Sequence, residues 1–249
     1  MSSLARNVEV VRRRIQQACE RAGRPASSVT LIAVTKGVPV ERIQEAAALG
    51  LTELGENRVQ EAQQKQDALG SGFRARGSYP EPVAPSPQPI RWHLVGHLQR
   101  NKAKLAVQLF DVIHSVDSLP LVAALERAMG ERPQTQPALD VLIQVNTSSE
   151  PTKSGCRPNQ AIELADAVRR TTRLRLAGLM TMAPFISDPE TARPCFKQLR
   201  ELRDEVAAAS GLRPPAFSLS MGMSQDFEVA IEEGADFVRI GTAIFGPQD

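Results

Sequence analysis

Residues 28–50 read "SVTLIAVTKGVPVERIQEAAALG", and this stretch decides the fold. Its first part is apolar and rich in β-branched residues, the pattern of a fully buried strand. Pro39 then stands near a helix start, apolar residues recur at helical spacing, and Gly50 is the stop. Between strand and helix sit Lys36 and Gly37, a cation and a breaker at the end of an apolar run.

The same unit recurs outward along the chain. "LTELGEN" precedes the helical pattern "RVQEAQQKQDALG", "IRWHLVG" precedes "LQRNKAKLAVQL", and "DVIHSVD" precedes "SLPLVAALERAMG". "LDVLIQVNT" leads to "NQAIELADAVRR", "LRLAGLMTM" to "CFKQLRELRDEVAAASG", and "AFSLSMGMS" to "QDFEVAIEEG"; "ADFVRIGTAIFG" comes last. Strands alternating with helices predict a parallel sheet. Eight units in a chain of 249 residues predict an α/β fold, a single (β/α)8 TIM barrel over 1–249. A doubly wound open sheet is the structural rival. The last strand has almost no chain after it. The helix predicted from "VEVVRRRIQQACERAG", with Val8, Val11, Ile15 and Ala18 on one face, is placed to fill that gap in the outer ring. Segment 71–89, "SGFRARGSYPEPVAPSPQP", breaks the rhythm: it is rich in Pro, Ser and Gly and reads as a surface loop insertion on the N-terminal face.

Composition excludes several classes. The chain is 42% hydrophobic and 23% charged, as in soluble globular proteins, and its net charge of +2 does not call for nucleic acid or an acidic membrane as partner. Cys19, Cys156 and Cys195 form no CxxC pair, so neither a metal site nor a disulfide framework is expected. There is no secretory leader pattern and no run long enough to span a membrane. The expectation is a cytoplasmic protein.

In a barrel, function lies at the C-terminal ends of the strands. Those positions are Lys36, "GEN" (55–57), "GHLQ" (96–99), "HSVDS" (114–118), "NTSSE" (146–150), "MTM" (180–182), "SMGMS" (220–224) and "RIGTAIFG" (239–246). Lys36 is either a solvated lysine or an amine against apolar walls. In the second case burial disfavours its charged form and makes it a nucleophile toward an aldehyde. Gly222 permits a tight turn. Ser224 stands where a helix begins, with Asp226 in its first turn, and is either an N-cap or part of an anion site. Gly241 and Thr242, after the next strand, let backbone N–H groups approach a ligand. Loops after strands seven and eight of barrels commonly bind phosphate. A lysine for an aldehyde and a cup for a phosphate together point to pyridoxal 5′-phosphate (PLP).

The ordered set "AVTKGVPVERIQEA", "GENRVQEAQQK", "WHLVGHLQRNK", "IHSVDS", "GLMTM" and "SLSMGMSQDFEVAIEEGADFVRIGTAIFG" resembles the pyridoxal phosphate homeostasis protein family over nearly the whole chain. Only 71–89 and the chain ends fall outside it. The resemblance implies a fold type III PLP-binding barrel like the N-terminal domain of alanine racemase. It implies that Lys36 carries PLP covalently as a Schiff base and that Asn57 lies beside the ring hydroxyl. By the same resemblance Ser224, Gly241 and Thr242 hold the phosphate, and Arg239 faces the pyridine nitrogen. Met180 to Met182 and His97 lie nearby without assigned contacts. His93 alternates out of phase with an inward set, and His114 stays open.

An arginine has only donors, so a ring nitrogen facing Arg239 stays unprotonated and the cofactor is a weak electron sink. The competing reading of Arg239 is a structural ion pair, with Glu56 as partner. Racemisation also needs a second acid/base group, and Tyr79, the one tyrosine, falls in the insertion. No closing domain is expected. The leading expectation is therefore vitamin B6 homeostasis by a non-catalytic PLP carrier, monomer or weak dimer, that exchanges PLP with dependent apo-enzymes. The alternatives are a PLP-dependent amino-acid racemase and a cofactor-free Schiff-base aldolase acting on a sugar phosphate.

Overall fold

Eight strands pair in parallel and in chain order, and the eighth returns to the first, closing the barrel. They are β1 (Thr30–Val34), β2 (Glu53–Glu56), β3 (Arg91–Leu94), β4 (Val112–Val116), β5 (Leu139–Gln144), β6 (Leu174–Met180), β7 (Ser218–Ser220) and β8 (Phe237–Ile240). The helices are α1 (Ser3–Arg21), α2 (Val40–Ala48), α3 (Val59–Leu69), α4 (Ala103–Leu109), α5 (Leu119–Gly130), α6 (Ala161–Arg169), α7 (Arg193–Ser210), α8 (Phe227–Glu232) and α9 (Thr242–Phe245). The structure is a computed structural model and describes residues 2–70, 89–133, 135–148, 154–184, 188–211 and 217–247. The expected insertion 71–89, with Tyr79, lies outside the described residues except for Pro89.

The expected barrel is therefore the observed one, and the open-sheet rival is not. α1 buries Val8, Val11, Ile15 and Ala18, the four positions its periodicity predicts. It packs beside α8 and α9: Arg14 forms a two-pronged ion pair with Glu228 at 2.9 and 2.7 Å and lies over the Phe227 ring at 4.6 Å. Arg21 pairs with Glu232 at 2.7 Å, and Asn7 donates to the Ile244 carbonyl at 2.9 Å. β8 does have a helix of its own, the four-residue α9, but α1 supplies the length that α9 lacks.

Alternation along each strand divides the core. Trp92 and Leu94 of β3 join the main apolar core with residues of the surrounding helices, while Arg91 and His93 contact residues of other strands across the barrel. The interior is accordingly polar. At the N-terminal end Arg91 donates to Asp140 at 2.7 Å and lies 4.0 Å from Glu53. Higher up, His93, His114 and Phe237 stack ring against ring, with centroids 5.1 to 6.0 Å apart. Val112, Leu142 and Met180 form a small apolar cluster beside Phe237. His93 thus points inward, against the expectation that it alternates out of phase. Gly55 sits on the same inward register: a Cβ there would meet Ile32 Cγ2 at 2.9 Å.

Candidate functional site

A cavity of about 400 Å³ opens at the C-terminal ends of the strands, within the size range of small-molecule sites. Val34, Val95 and Met182 give it apolar walls, and Asn57, Ser224, Arg239, Gly241 and Thr242 line it with polar or small groups. Five of the six residues expected to bind a cofactor are thus brought together. The sixth, Lys36, follows Val34 by two residues in the turn after β1 and is exposed. It is not among the cavity-lining residues, so of the two readings the solvated lysine is the one observed here.

What holds the Lys36 turn is a buried cluster beneath it. Lys65 of α3, 7% exposed, donates to the Thr35 carbonyl at 2.5 Å and to Glu56 and Glu61 at 2.7 Å each. Thr35 Oγ1 donates to the same Glu56 oxygen at 2.5 Å, and Gly37 N–H donates to Glu61 at 2.7 Å. Both neighbours of Lys36 are therefore tied to one cationic hub. Burial pushes the Glu56 carboxyl above its ordinary range despite the attraction of Lys65. Glu61 is less buried; its bonds to Lys65 and Gly37 outweigh desolvation and bring it down. The Glu56 partnership with Arg239, weighed above, is not formed: Glu56 belongs to Lys65.

Arg239 projects from β8 and is 4% exposed. It donates through Nη1 to Ser220 Oγ at 2.7 Å and through Nη2 to the Thr181 carbonyl at 2.8 Å. Burial lowers its pKa to about 10, with Asp226 opposing, so it remains a cation at neutral pH. Thr181 is itself pinned, with its Oγ1 donating to the Val145 carbonyl at 2.8 Å. The "MTM" run thereby divides its labour: Met180 packs in the interior, Thr181 orients Arg239, and Met182 lines the cavity.

The turn after β7 differs from its expected form. α8 begins at Phe227, so Ser224 is not its N-cap; Ser224 Oγ accepts from Ala243 N–H at 3.3 Å, across from α9. Asp226 accepts from Met223 N–H at 2.6 Å, and burial raises its carboxyl pKa against that bond and the charge of Arg239. Gly222 has φ +91° and a Cβ there would lie 2.6 Å from Ala230 Cβ, which confirms the tight turn. Gly96 serves Asn57 in a similar way: an added Cβ would fall 2.2 Å from the Asn57 carbonyl oxygen. His97 is half-exposed, 3.5 Å from Asp117, and does not line the cavity. His93 and His114 are fully buried below it. Reading the mouth residues inward by twos, from Val95 to His93 and from Arg239 to Phe237, was the signal for these interior groups. The Lys65 cluster had no such signal, because it joins three elements.

The family model for the alanine racemase N-terminal domain matches residues 2–249, so barrel and mouth define a protein of that class. The pyridoxal phosphate homeostasis protein of Aquifex aeolicus is 42% identical over 233 residues, which are 94% of this chain and 93% of that protein. PipY of Synechococcus elongatus, solved with PLP bound, superposes with a TM-score of 0.78 at 34% identity, covering 98% of this chain and 100% of that chain. This chain belongs to the pyridoxal phosphate homeostasis protein family. Alanine racemase of Corynebacterium glutamicum shares the fold alone: 18% identity and a TM-score of 0.63, over 98% of this chain and 60% of that one.

Proposed function

We propose that this protein binds PLP at the barrel mouth, holds it covalently through Lys36, and serves intracellular PLP homeostasis rather than turnover. The donor set fits the group. Ser224, Gly241 and Thr242 offer a hydroxyl-bearing, uncrowded cup for a phosphate, and Val34, Val95 and Met182 offer apolar walls for a ring. Asn57 is available to a ring hydroxyl. The observation that carries the reading is Arg239, a buried cation lining the cavity. It has donors to give and no acceptor, so it suits an unprotonated ring nitrogen. When bound, PLP supplies an aldehyde for the amine and a ring that draws electrons from a substrate carbon. Arg239 limits that second property, because it gives the nitrogen a hydrogen bond and no proton.

Two carboxylates also line the cavity, which sequence reading did not anticipate. Asp226 accepts from Met223 N–H and Asp188 from Glu190 N–H at 3.0 Å, so each has a structural use in its own turn. A missing acid/base partner typically costs about a hundred- to ten-thousand-fold in rate. PLP-dependent apo-enzymes are the partners this reading implies, in a reducing compartment consistent with three buried free cysteines.

The test has two parts. Borohydride reduction followed by peptide mapping should place PLP on Lys36, and Lys36→Ala should lose the visible absorption band while keeping the fold. Trapping mainly on Lys102, Lys104 or Lys153 would overturn the attachment. PLP-loaded protein incubated with each common L-amino acid should racemise or transaminate none of them faster than free PLP does. Turnover of several per second, lost in Lys36→Ala, would instead establish an enzyme.

A further inference from the structure

Below the cavity, the barrel interior holds a chain of polar side chains that PLP binding by itself does not require. Arg239 Nη1 lies 2.7 Å from Ser220 Oγ. Ser220 Oγ lies 2.9 Å from His114 Nδ1, and His114 Nε2 lies 2.9 Å from His93 Nδ1. His93 Nε2 lies 2.5 Å from Glu53 Oε2. Ser220, His93 and His114 are wholly buried. The chain spans the barrel, from the mouth on β8 to the first residue of β2 at the opposite end.

Its polarity follows from its ends. Arginine only donates, so Ser220 Oγ accepts from Arg239 and its own proton needs an acceptor. His114 Nδ1 is the group in reach. That makes Nε2 the protonated nitrogen of His114, which donates to His93 Nδ1. His93 then carries its proton on Nε2 and donates to Glu53. Glu53 suits the role of ionised acceptor: although desolvation would raise its carboxyl, the hydrogen bond from His93 and the charge of Arg91 hold it below its ordinary range. The charged and titratable groups that act on His114 are His93 and Arg91 from β3 and Arg239 from β8; behind them, Glu53 of β2 bonds to His93 and Asp140 of β5 to Arg91. Burial first, and then the charges of Arg239 and Arg91, push its imidazole well below its ordinary value. The reverse polarity would leave the Ser220 proton without a partner in a buried place, where an unmade hydrogen bond is costly.

We propose that Ser220, His114 and His93 are positioning residues for Arg239: a one-way hydrogen-bonded chain from Arg239 to Glu53 that holds the guanidinium as a donor at the floor of the cavity. A carboxylate at the far end of the barrel then stabilises, through neutral links, the cation at the mouth. Its consequence for a bound cofactor rests on the reading that Arg239 faces the PLP ring nitrogen; the chain itself does not.

Long-range proton–nitrogen correlation NMR on the full chain without PLP, at pH 7.5, tests it. The protein has three histidines, and His97 on the surface gives the reference. The expected result is that His93 and His114 each carry one proton, on Nε2. In Ser220→Ala the His114 tautomer signals should shift and the Arg239 Nε–H should exchange faster with water, by about tenfold or more; Ser220→Thr should restore both. A doubly protonated His93, a proton on His114 Nδ1, or an Arg239 signal indifferent to Ser220→Ala would overturn the proposal. With ring-labelled PLP bound, the ring-nitrogen resonance should move in Ser220→Ala and in Arg239→Gln. A resonance moved by neither, with the tautomers as expected, would refute the placement of Arg239 at the ring nitrogen and leave the chain standing.

Discussion

Lys36 is exposed and flexible by chemistry, yet the residues on both sides of it are fixed. Lys65 accomplishes this from a distance of 29 residues by gripping the Thr35 carbonyl and, through Glu61, the Gly37 N–H. Lys65→Met removes the cation and leaves Glu56, with a fully buried side chain, uncompensated. Breaking a buried pair from one side costs about 3–5 kcal/mol. Urea unfolding of Lys65→Met should show a loss of that size, and PLP loading should become slower or weaker. A loss under 1 kcal/mol would mean that Glu56 simply takes up a proton, as its raised pKa makes easy. Gly96 gives a second prediction at this scale. Gly96→Ala should displace Asn57, because the 2.2 Å approach involves backbone. PLP affinity should fall at least tenfold with the far-ultraviolet dichroism unchanged, and equal affinity would remove Asn57 from the site. The histidines teach the limit of residue-level reading. The sequence set His93 out of phase with the interior and left His114 open, and only the closed barrel made them a pair.

Among the elements, β7 and the turn behind it carry the most constraint for their length. β7 has three residues, and Gly222 must hold φ +91° against Ala230 and Phe227 of the helix that follows. Gly222→Ala therefore pays twice, in backbone strain of about 1–3 kcal/mol and in a clash with α8. We expect a lower Tm and a weakened phosphate cup, measured as reduced affinity for PLP and for inorganic phosphate alike. Unchanged phosphate affinity would show that Ser224 does not depend on this turn. The inward face of α1 at Val8, Val11, Ile15 and Ala18 was legible from its 3.6-residue period, because one face packs and the other is solvated; its start at Ser3 and the buried Leu4 and Cys19 were not. Nor were α8 and α9. With six and four residues they are too short for periodicity to bound, so Ser224 was assigned to the wrong helix start.

At the scale of the whole barrel, the buried histidine leaves a signature in pH. The folded-state pKa of His114 lies well below its ordinary value, so the unfolded chain binds the extra proton first. Stability from this group is present in full above about pH 6.5 and is lost as pH falls below it, at up to about 1.4 kcal/mol per pH unit. Chemical denaturation between pH 7.5 and 5 should show that slope in the native chain and a flatter one in His114→Asn. Parallel slopes would mean that His114 does not govern it. α3 ends at Leu69 and β3 starts at Arg91, and in a barrel of this kind both lie at the end away from the cavity. Replacing 71–89 by a short Gly/Ser linker should change stability by no more than about 1 kcal/mol and leave PLP affinity intact; a large loss of affinity would bring the segment to the site.

The amino-acid sequence by itself determined the architecture, because a repeated alternation of buried strand and amphipathic helix has few closed solutions, and hydrophobic period is a local property of the chain. It also marked the mouth residues, since strand ends are where apolar runs stop. Only the tertiary structure decided which of those residues meet. Glu56 went to Lys65 and not to Arg239 because α3 brings a lysine under the β1 turn. Arg239 took Ser220 and the Thr181 carbonyl because closure sets β8 beside β7 and aims it across to β6. Hydrogen-bond partners in a barrel interior come from different strands, and no spacing along one strand encodes which residue stands opposite.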